Sequence, residues 1–349
     1  MFKVKTKNLQ EMVGKLSKCG GNKLLEITRY YNLEVGENGL VLTATDGSNF
    51  ITVTDPTVKA EPFTAIVKAD QFSKLVQRTS VDEMKFTLKE NYLDVVGNGK
   101  YKVEIVEGEI YPTYDFTGVE NPMEVETSVL KYVAGTNKYS VSTTIADGVL
   151  TGYLFRDGKC ITADGIKVCI TPATITEGDC LLTQETITLI GALTDEKTKI
   201  SVQDGKVLFE TSNTTIFSTE MEGIEEYPDI APLSEIEFPS MCSLSKLAIL
   251  NILDRLTLFI DPFEKNEIKL HFTDKGLEIS TNSGSYELIA YSTSKDFQEF
   301  VCSVNGLFFK ELVSAVNTEN FTIQYGEEAL IRIESDNLVQ LLATGEGEE

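Results

Sequence analysis

Histidine is almost absent: His271 is the only one in 349 residues. That scarcity excludes a His-based triad at any other position and leaves a zinc site short of imidazole ligands. His271 lies in the alternating run IKLHFTD, where a surface or half-buried strand position accounts for it. The six cysteines (Cys19, Cys160, Cys169, Cys180, Cys242 and Cys302) include no Cys-x-x-Cys pair. In a chain neither short nor visibly secreted, they are expected to be buried reduced thiols. No apolar run approaches the ~20 residues that cross a bilayer. The first residues, MFKVKTKNLQ, lack the apolar stretch of a secretory signal. A Gly-x-Ser-x-Gly elbow, a Walker loop, a dinucleotide fingerprint and a full EF-hand loop are all missing. The expectation is a soluble cytoplasmic protein that is not an enzyme, with no metal, no cofactor and no membrane partner.

Positive charge is also scarce, with 31 Lys and Arg against 54 Asp and Glu and a net charge of −23. Such a chain repels nucleic acid unless its cations are gathered in one place.

What is present is repetition. LTATDGSNFITV (Leu42 to Val53) is echoed by ITADGIKVCITP (Ile161 to Pro172), and LEISTNSGSYELIA (Leu277 to Ala290) keeps the outline without the Asp. Each stretch reads as strand, polar turn, strand. A helix-like segment follows each: Phe72, Ile187 and Phe309 superpose, as do Leu75, Ile190 and Leu312 three residues later. That spacing makes a buried helix face, and the alternations after it (Phe86, Leu88; Ile200, Val202; Phe321, Ile323) have strand period. Each copy also opens with a helix, at Asn8 to Lys18, Thr127 to Lys138 and Ser243 to Arg255. The first two copies close on Tyr-Pro, in EGEIYP and EGIEEYP. Three α+β domains follow, at 1–120, 121–236 and 237–349. Units this long do not suit a solenoid. The six helices carry a net positive charge, which leaves the sheets and loops more acidic than the chain as a whole. Segregation of that kind is expected if the helices share a surface that meets phosphates.

The recurrence, with GNGKYKVEIVEGEIYP, EGIEEYPDI and VNGLFFKELVSAV in order, resembles the bacterial DNA polymerase III beta subunit family, the sliding clamps, over nearly the whole length. The resemblance implies three tandem clamp domains, each with two helices packed on antiparallel sheets. Two chains would dimerise into a closed ring around duplex DNA, tether a DNA polymerase and be opened by a clamp loader. It implies non-specific phosphate contacts from Lys15, Lys18, Lys23, Lys74, Arg78, Lys131, Lys138, Lys246 and Arg255. It implies a cleft for a short apolar-aromatic peptide of the partner. By position that cleft takes Leu150, Gly165, Ile166, Lys167 and Val168 from the second copy, and Asn305, Phe308, Leu338, Val339 and Leu341 from the third. Ring closure is implied through edge strands at Tyr101 and Val103 on one side and Phe259 and Ile260 on the other. Departures are evident: Ile-Lys-Val stands where the family has His-Arg-Leu, Gly148 and Val149 replace a DNA-touching aromatic pair, and LLATGEGEE replaces a Met-Pro ending. They suggest a divergent version, encoded by a virus or plasmid. The rival readings are an acidic β-rich viral structural protein with tandem repeats, and a hydrolase using Asp46 or Asp164. The hydrolase is the weaker, because those acids occupy equivalent places in separate copies and the third copy lacks one.

Overall fold

The computed structural model describes the chain apart from Lys23, Glu107, Glu109, Asp296, Glu327, Glu328 and residues 347–349, and apart from the side chains of 293–295 and 346. Seven α-helices are assigned among the described residues: α1 (Thr6–Leu16), α2 (Ala69–Gln77), α3 (Thr127–Thr136), α4 (Gln184–Ile190), α5 (Ala231–Ser234), α6 (Lys246–Leu256) and α7 (Gly306–Ala315). Six of them are the helices expected from the repeats; the single turn α5 was not anticipated. Their faces follow from spacing. In α1, Leu9, Met12, Val13 and Leu16 are buried, and in α6 Ile249, Ile252, Leu253 and Leu256 repeat that stripe. Ser245 and Asn305 cap α6 and α7 through their side chains, satisfying amides that the helices cannot.

Among the described residues the hairpin pairings and the pairings that join the copies are antiparallel, as the alternating segments require. The chain forms two compact units. One comprises Met1–Ala134 with Leu182–Met221, the other Gly135–Leu181 with Glu222–Glu349. The first holds a four-stranded and an eight-stranded sheet, the second a nine-stranded and a five-stranded sheet. The units cut across the repeats because sheets do. In the first unit Phe50–Asp55, the outgoing strand of the first hairpin, pairs with Thr214–Thr219, the last strand of the second copy. In the second unit Lys167–Pro172, the outgoing strand of the second hairpin, pairs with Leu338–Ala343, the last strand of the third. Backbone hydrogen bonds thus join each copy to the next, and the middle copy is shared between the units.

The repeated motifs have structural roles. Asp46 Oδ1 accepts from the amides of Ser48 (2.9 Å) and Asn49 (2.8 Å), and Asp164 Oδ1 accepts from those of Ile166 (3.0 Å) and Lys167 (2.7 Å). Both acids shape the hairpin turn, with Gly47 and Gly165 at positive φ beside them. Tyr111 and Tyr227 of the Tyr-Pro pairs are buried and donate to the carbonyls of Tyr30 (2.9 Å) and Ile161 (3.4 Å). Burial pushes both phenols above their ordinary range, so they stay protonated and able to donate. None of the six cysteines forms a disulfide, and all but Cys19 are buried. Burial, with Asp46 nearby, pushes the Cys19 thiol up to about 12, and burial pushes Cys302 up to about 12 as well. His271 takes its half-buried strand position, 2.7 Å from Glu299 Oε1.

Candidate partner cleft and nucleic-acid contacts

The residues assigned to the cleft lie in one unit, but not on one surface. Antiparallel register pairs Val168 with Leu341 and Ile170 with Val339, which sets these four on one face of the nine-stranded sheet. Lys167 and Leu338 point the other way. Leu338 is fully buried in the core among Cys169, Leu342 and the helices, on the face of the sheet away from Val339. The Lys167 side chain is only 7% exposed, its Nζ 3.1 Å from Glu311 and 3.4 Å from Asp164 and 4.0 Å above the Phe308 ring. Two carboxylates and an aromatic face satisfy the buried ammonium, so Lys167 and Phe308 occupy each other. Asn305 is engaged as the cap of α7 and as a donor to Lys265 O (2.7 Å). Leu150 is half-buried in the 3-10 segment Ile145–Thr151, its carbonyl accepting from Ser142. Ile166 remains 48% exposed at the hairpin tip beside Gly165.

On the Val339 face there is a concavity. A cavity of about 100 Å³ is floored by Leu154, Ile161 and Ile170 and walled by Pro228, Ile230 and Ser234. An adjoining hollow of about 300 Å³ shares Ile170, Lys159 and Ser234 and adds Pro172, Glu334 and Val339. Arg156, Asp157, Lys159 and Asp229 also line the smaller cavity, and apolar walls beside charged groups suit an apolar side chain presented by an extended peptide. Only Val339 of the expected set lines it. Val168 and Leu341 lie on the same face but are buried, at 8% and 2% exposure. The signals for the others were present: Ile170 is two residues from Val168, hence on its face, and Pro228 belongs to the repeated Tyr-Pro pair.

The cations expected to meet phosphate divide into four groups among the described residues, with Lys23 outside them. Lys15 is 4% exposed, its Nζ held by Thr194 Oγ1 (3.0 Å), Asn213 Oδ1 (3.1 Å), Thr214 Oγ1 (3.1 Å) and Glu11 (3.4 Å). It ties α1 to the last strands of the second copy within its unit and cannot contact DNA. Lys246 Nζ donates to the Ser314 (3.1 Å) and Val316 (2.5 Å) carbonyls, capping the end of α7. Lys74 pairs with Asp70 at 2.8 Å, and Arg255 binds Glu287 through two nitrogens at 2.7 and 2.5 Å. The Arg255 guanidinium holds the Glu287 carboxyl below its ordinary range. Lys18, Arg78, Lys131 and Lys138 are exposed with no carboxylate partner among the described residues.

The closure residues also separate. Tyr101 is 37% exposed on Lys100–Glu104, the edge strand of the four-stranded sheet, but Val103 on that strand is 1% exposed and belongs to the core. Phe259 and Ile260 follow the end of α6 and lie in no strand; Phe259 is exposed and Ile260 packs on the core. One edge strand of the five-stranded sheet is Tyr286–Ile289, where Tyr286 and Leu288 are 65% and 52% exposed, and the other is Gly345–Glu346.

Comparison with known proteins gives a consistent result. The family model described as DNA polymerase III beta subunit, N-terminal domain, matches residues 1–115. A beta sliding clamp of Staphylococcus epidermidis is 19% identical over 325 residues, covering 86% of each chain. Among solved structures, the DNA polymerase sliding clamp from Bacillus subtilis superposes with a TM-score of 0.88 at 17% identity over 99% of both chains. The DNA polymerase III beta subunit of Thermotoga maritima gives 0.88 at 14% identity over 100% of both. The rival reading as a viral structural protein finds no support in these relatives.

Proposed function

We propose that this chain, a divergent member of the DNA polymerase III beta subunit family, is a DNA sliding clamp: two copies close into a ring around duplex DNA and hold a polymerase there. The observation that carries this reading is the arrangement of open sheet edges. At two junctions the outgoing hairpin strand of one copy pairs with the last strand of the next, building a continuous sheet. The third hairpin strand, Tyr286–Ile289, and the last strand of the first copy, Lys100–Glu104, are the corresponding elements, and each is a sheet edge with no further neighbour among the described residues. An open edge carries unpaired amides and carbonyls. Pairing Tyr286–Ile289 of one subunit with Lys100–Glu104 of another repeats the same junction, and a twofold axis does so twice. Lys100 and Lys102 on one edge and the exposed Tyr286 and Leu288 on the other suit such a contact. The three repeats at 1–120, 121–236 and 237–349 are then the domains of each subunit.

A ring acts by topology. It cannot leave DNA sideways, so a polymerase bound to it gains a high effective concentration at the primer end without any chemistry by the ring. Contacts to the duplex need only be weak and phosphate-directed, because tight ones oppose sliding. Lys18, Arg78, Lys131 and Lys138 are the available cations; Lys74 and Arg255 would exchange a carboxylate for a phosphate. Lys131→Gln is expected to flatten the dependence of log affinity for a short duplex on log salt by about 0.7–0.9. Lys15→Met should leave that slope as it was. Fluorescence anisotropy over a salt series reads both, and an unchanged slope for Lys131→Gln removes it from the contact set.

The polymerase is held through the cleft over Ile170 and Val339. Val339→Asp places a charge on its apolar floor and is expected to weaken partner-peptide binding about a hundredfold or more. Retention on circular DNA after loading should persist in this variant while processive synthesis is lost. Processive synthesis at the wild-type level would refute the cleft assignment. The ring itself is tested by mass in solution and by retention on circular against linearised DNA in the presence of a clamp loader. A monomer, or equal retention on both DNAs, rules it out.

A further inference from the structure

The wall of the cleft carries α5, a single turn of four residues with Pro232 at its second position. It is held locally by Asp229, which accepts from the Ala231 amide (3.0 Å), and by Ser234, which donates to the Ala231 carbonyl (2.8 Å). Turns that short do not persist on local bonds alone. What meets it is Arg332, on the strand Leu330–Ser335, opposite Leu341 in register and so on the cleft face of the sheet. The arginine is 8% exposed. Its Nη2 donates to the carbonyls of Ser234 (2.8 Å), Ile236 (2.8 Å) and Leu233 (3.4 Å), and Nη1 reaches Gln324 Oε1 (3.4 Å). The guanidinium carbon lies 5.0 Å from the centre of the Phe238 ring, and Glu334 Oε1 is 3.8 Å from Nη1. One planar cation thus gathers three carbonyls of the connector backbone, an aromatic ring and a carboxylate, which a point charge on a flexible stem cannot reproduce.

We propose that Arg332 is a positioning residue for recognition: by clasping 233–238 to the sheet it sets the wall of Pro228, Ile230 and Ser234 over Ile170. This rests on reading that concavity as the partner cleft. Arg332 touches no ligand in this scheme; it acts through the carbonyls it holds. Tyr227 ties the start of the wall to the sheet through the Ile161 carbonyl (3.4 Å), and Arg332 ties its far end, so the geometry of the apolar cavity at Ser234 depends on the clasp.

The test uses the full chain, Arg332→Met and Arg332→Lys, with a fluorescent synthetic peptide carrying adjacent leucine and phenylalanine as probe. Hydrogen exchange of the 231–237 amides and the midpoint of global unfolding are followed in parallel. Arg332→Met is expected to speed exchange in that segment and to weaken peptide binding about tenfold, the loss of charge-assisted hydrogen bonds. Arg332→Lys should fall between, since an ammonium reaches fewer of the carbonyls; it also carries the comparison if Arg332→Met does not fold. Faster exchange with peptide affinity within twofold of wild type would make Arg332 a structural residue only and overturn the proposal. Unchanged exchange overturns it too. If the wild-type chain binds no peptide, the cleft reading fails and the role in recognition falls with it, while the exchange arm still reports whether the clasp holds the connector.

Discussion

Leu288→Lys is expected to convert the assembled protein to monomers and abolish its retention on circular DNA. Leu288 is 52% exposed on the edge strand Tyr286–Ile289, and its register partner is Glu278 on the solvent side of the five-stranded sheet. The substitution therefore removes little from the core of the single chain, and its thermal unfolding should be close to wild type. In the proposed ring the added ammonium would be carried against Lys100 and Lys102 on the facing edge. Like charges set against each other in a contact cost several kcal/mol, roughly a hundredfold or more in dimer affinity. The adjacent Glu287 is already taken by Arg255, so the repulsion is not relieved by a neighbouring carboxylate. Tyr101→Asp on the complementary edge should act in the same direction. Sedimentation at micromolar concentration decides it: a persistent dimer of either variant would place the contact elsewhere.

The second large effect is on stability. Gly39 opens the strand Gly39–Thr45 with φ of +106°, and a Cβ there would stand 2.2 Å from the Asp55 carbonyl oxygen and 2.7 Å from the Cα of Pro56. Both obstacles are backbone of the paired strand and its exit, so they cannot swing aside. Gly39→Ala is expected to cost about 3 kcal/mol or more, combining overpacking with left-handed strain. Gly205 supplies the matched control. It has φ of +72° but nothing within 4 Å of where a methyl group would stand, so Gly205→Ala should cost only about 1–2 kcal/mol. Chemical denaturation of both variants distinguishes the two contributions. Equal losses would show that backbone strain alone accounts for the first.

Much of the fold was legible along the chain because its determinants are local. The stripe Leu9, Met12, Val13, Leu16 and its counterpart in α6 are visible as spacing, and the Asp-Gly turns as chemistry. The site was less legible. Lys167 and Val168 are neighbours in sequence, yet alternate sides of a strand send one into the helices and the other to the cleft face. Lys15 and Lys18 lie one turn apart on or beside α1, yet only Lys18 reaches solvent. A solvated lysine and a buried one read alike until the oxygens of Thr194, Asn213 and Thr214 are brought beside it. Phe259 and Ile260 read as strand residues from their apolar pattern, but α6 runs to Leu256 and leaves them in no strand.

Along the chain a helix–strand pattern that recurs three times is readable directly, because periodicity and residue types are set by neighbours a few positions apart. Which strands share a sheet, which edges stay open among the described residues, which lysines are already satisfied, and that Arg332 bonds the connector are fixed by packing instead. Those outcomes depend on groups a hundred or more residues apart, as when Lys15 meets Asn213 or Val168 meets Leu341. Hydrogen-bond partners at that separation are chosen by packing and strand register, which local pattern does not encode.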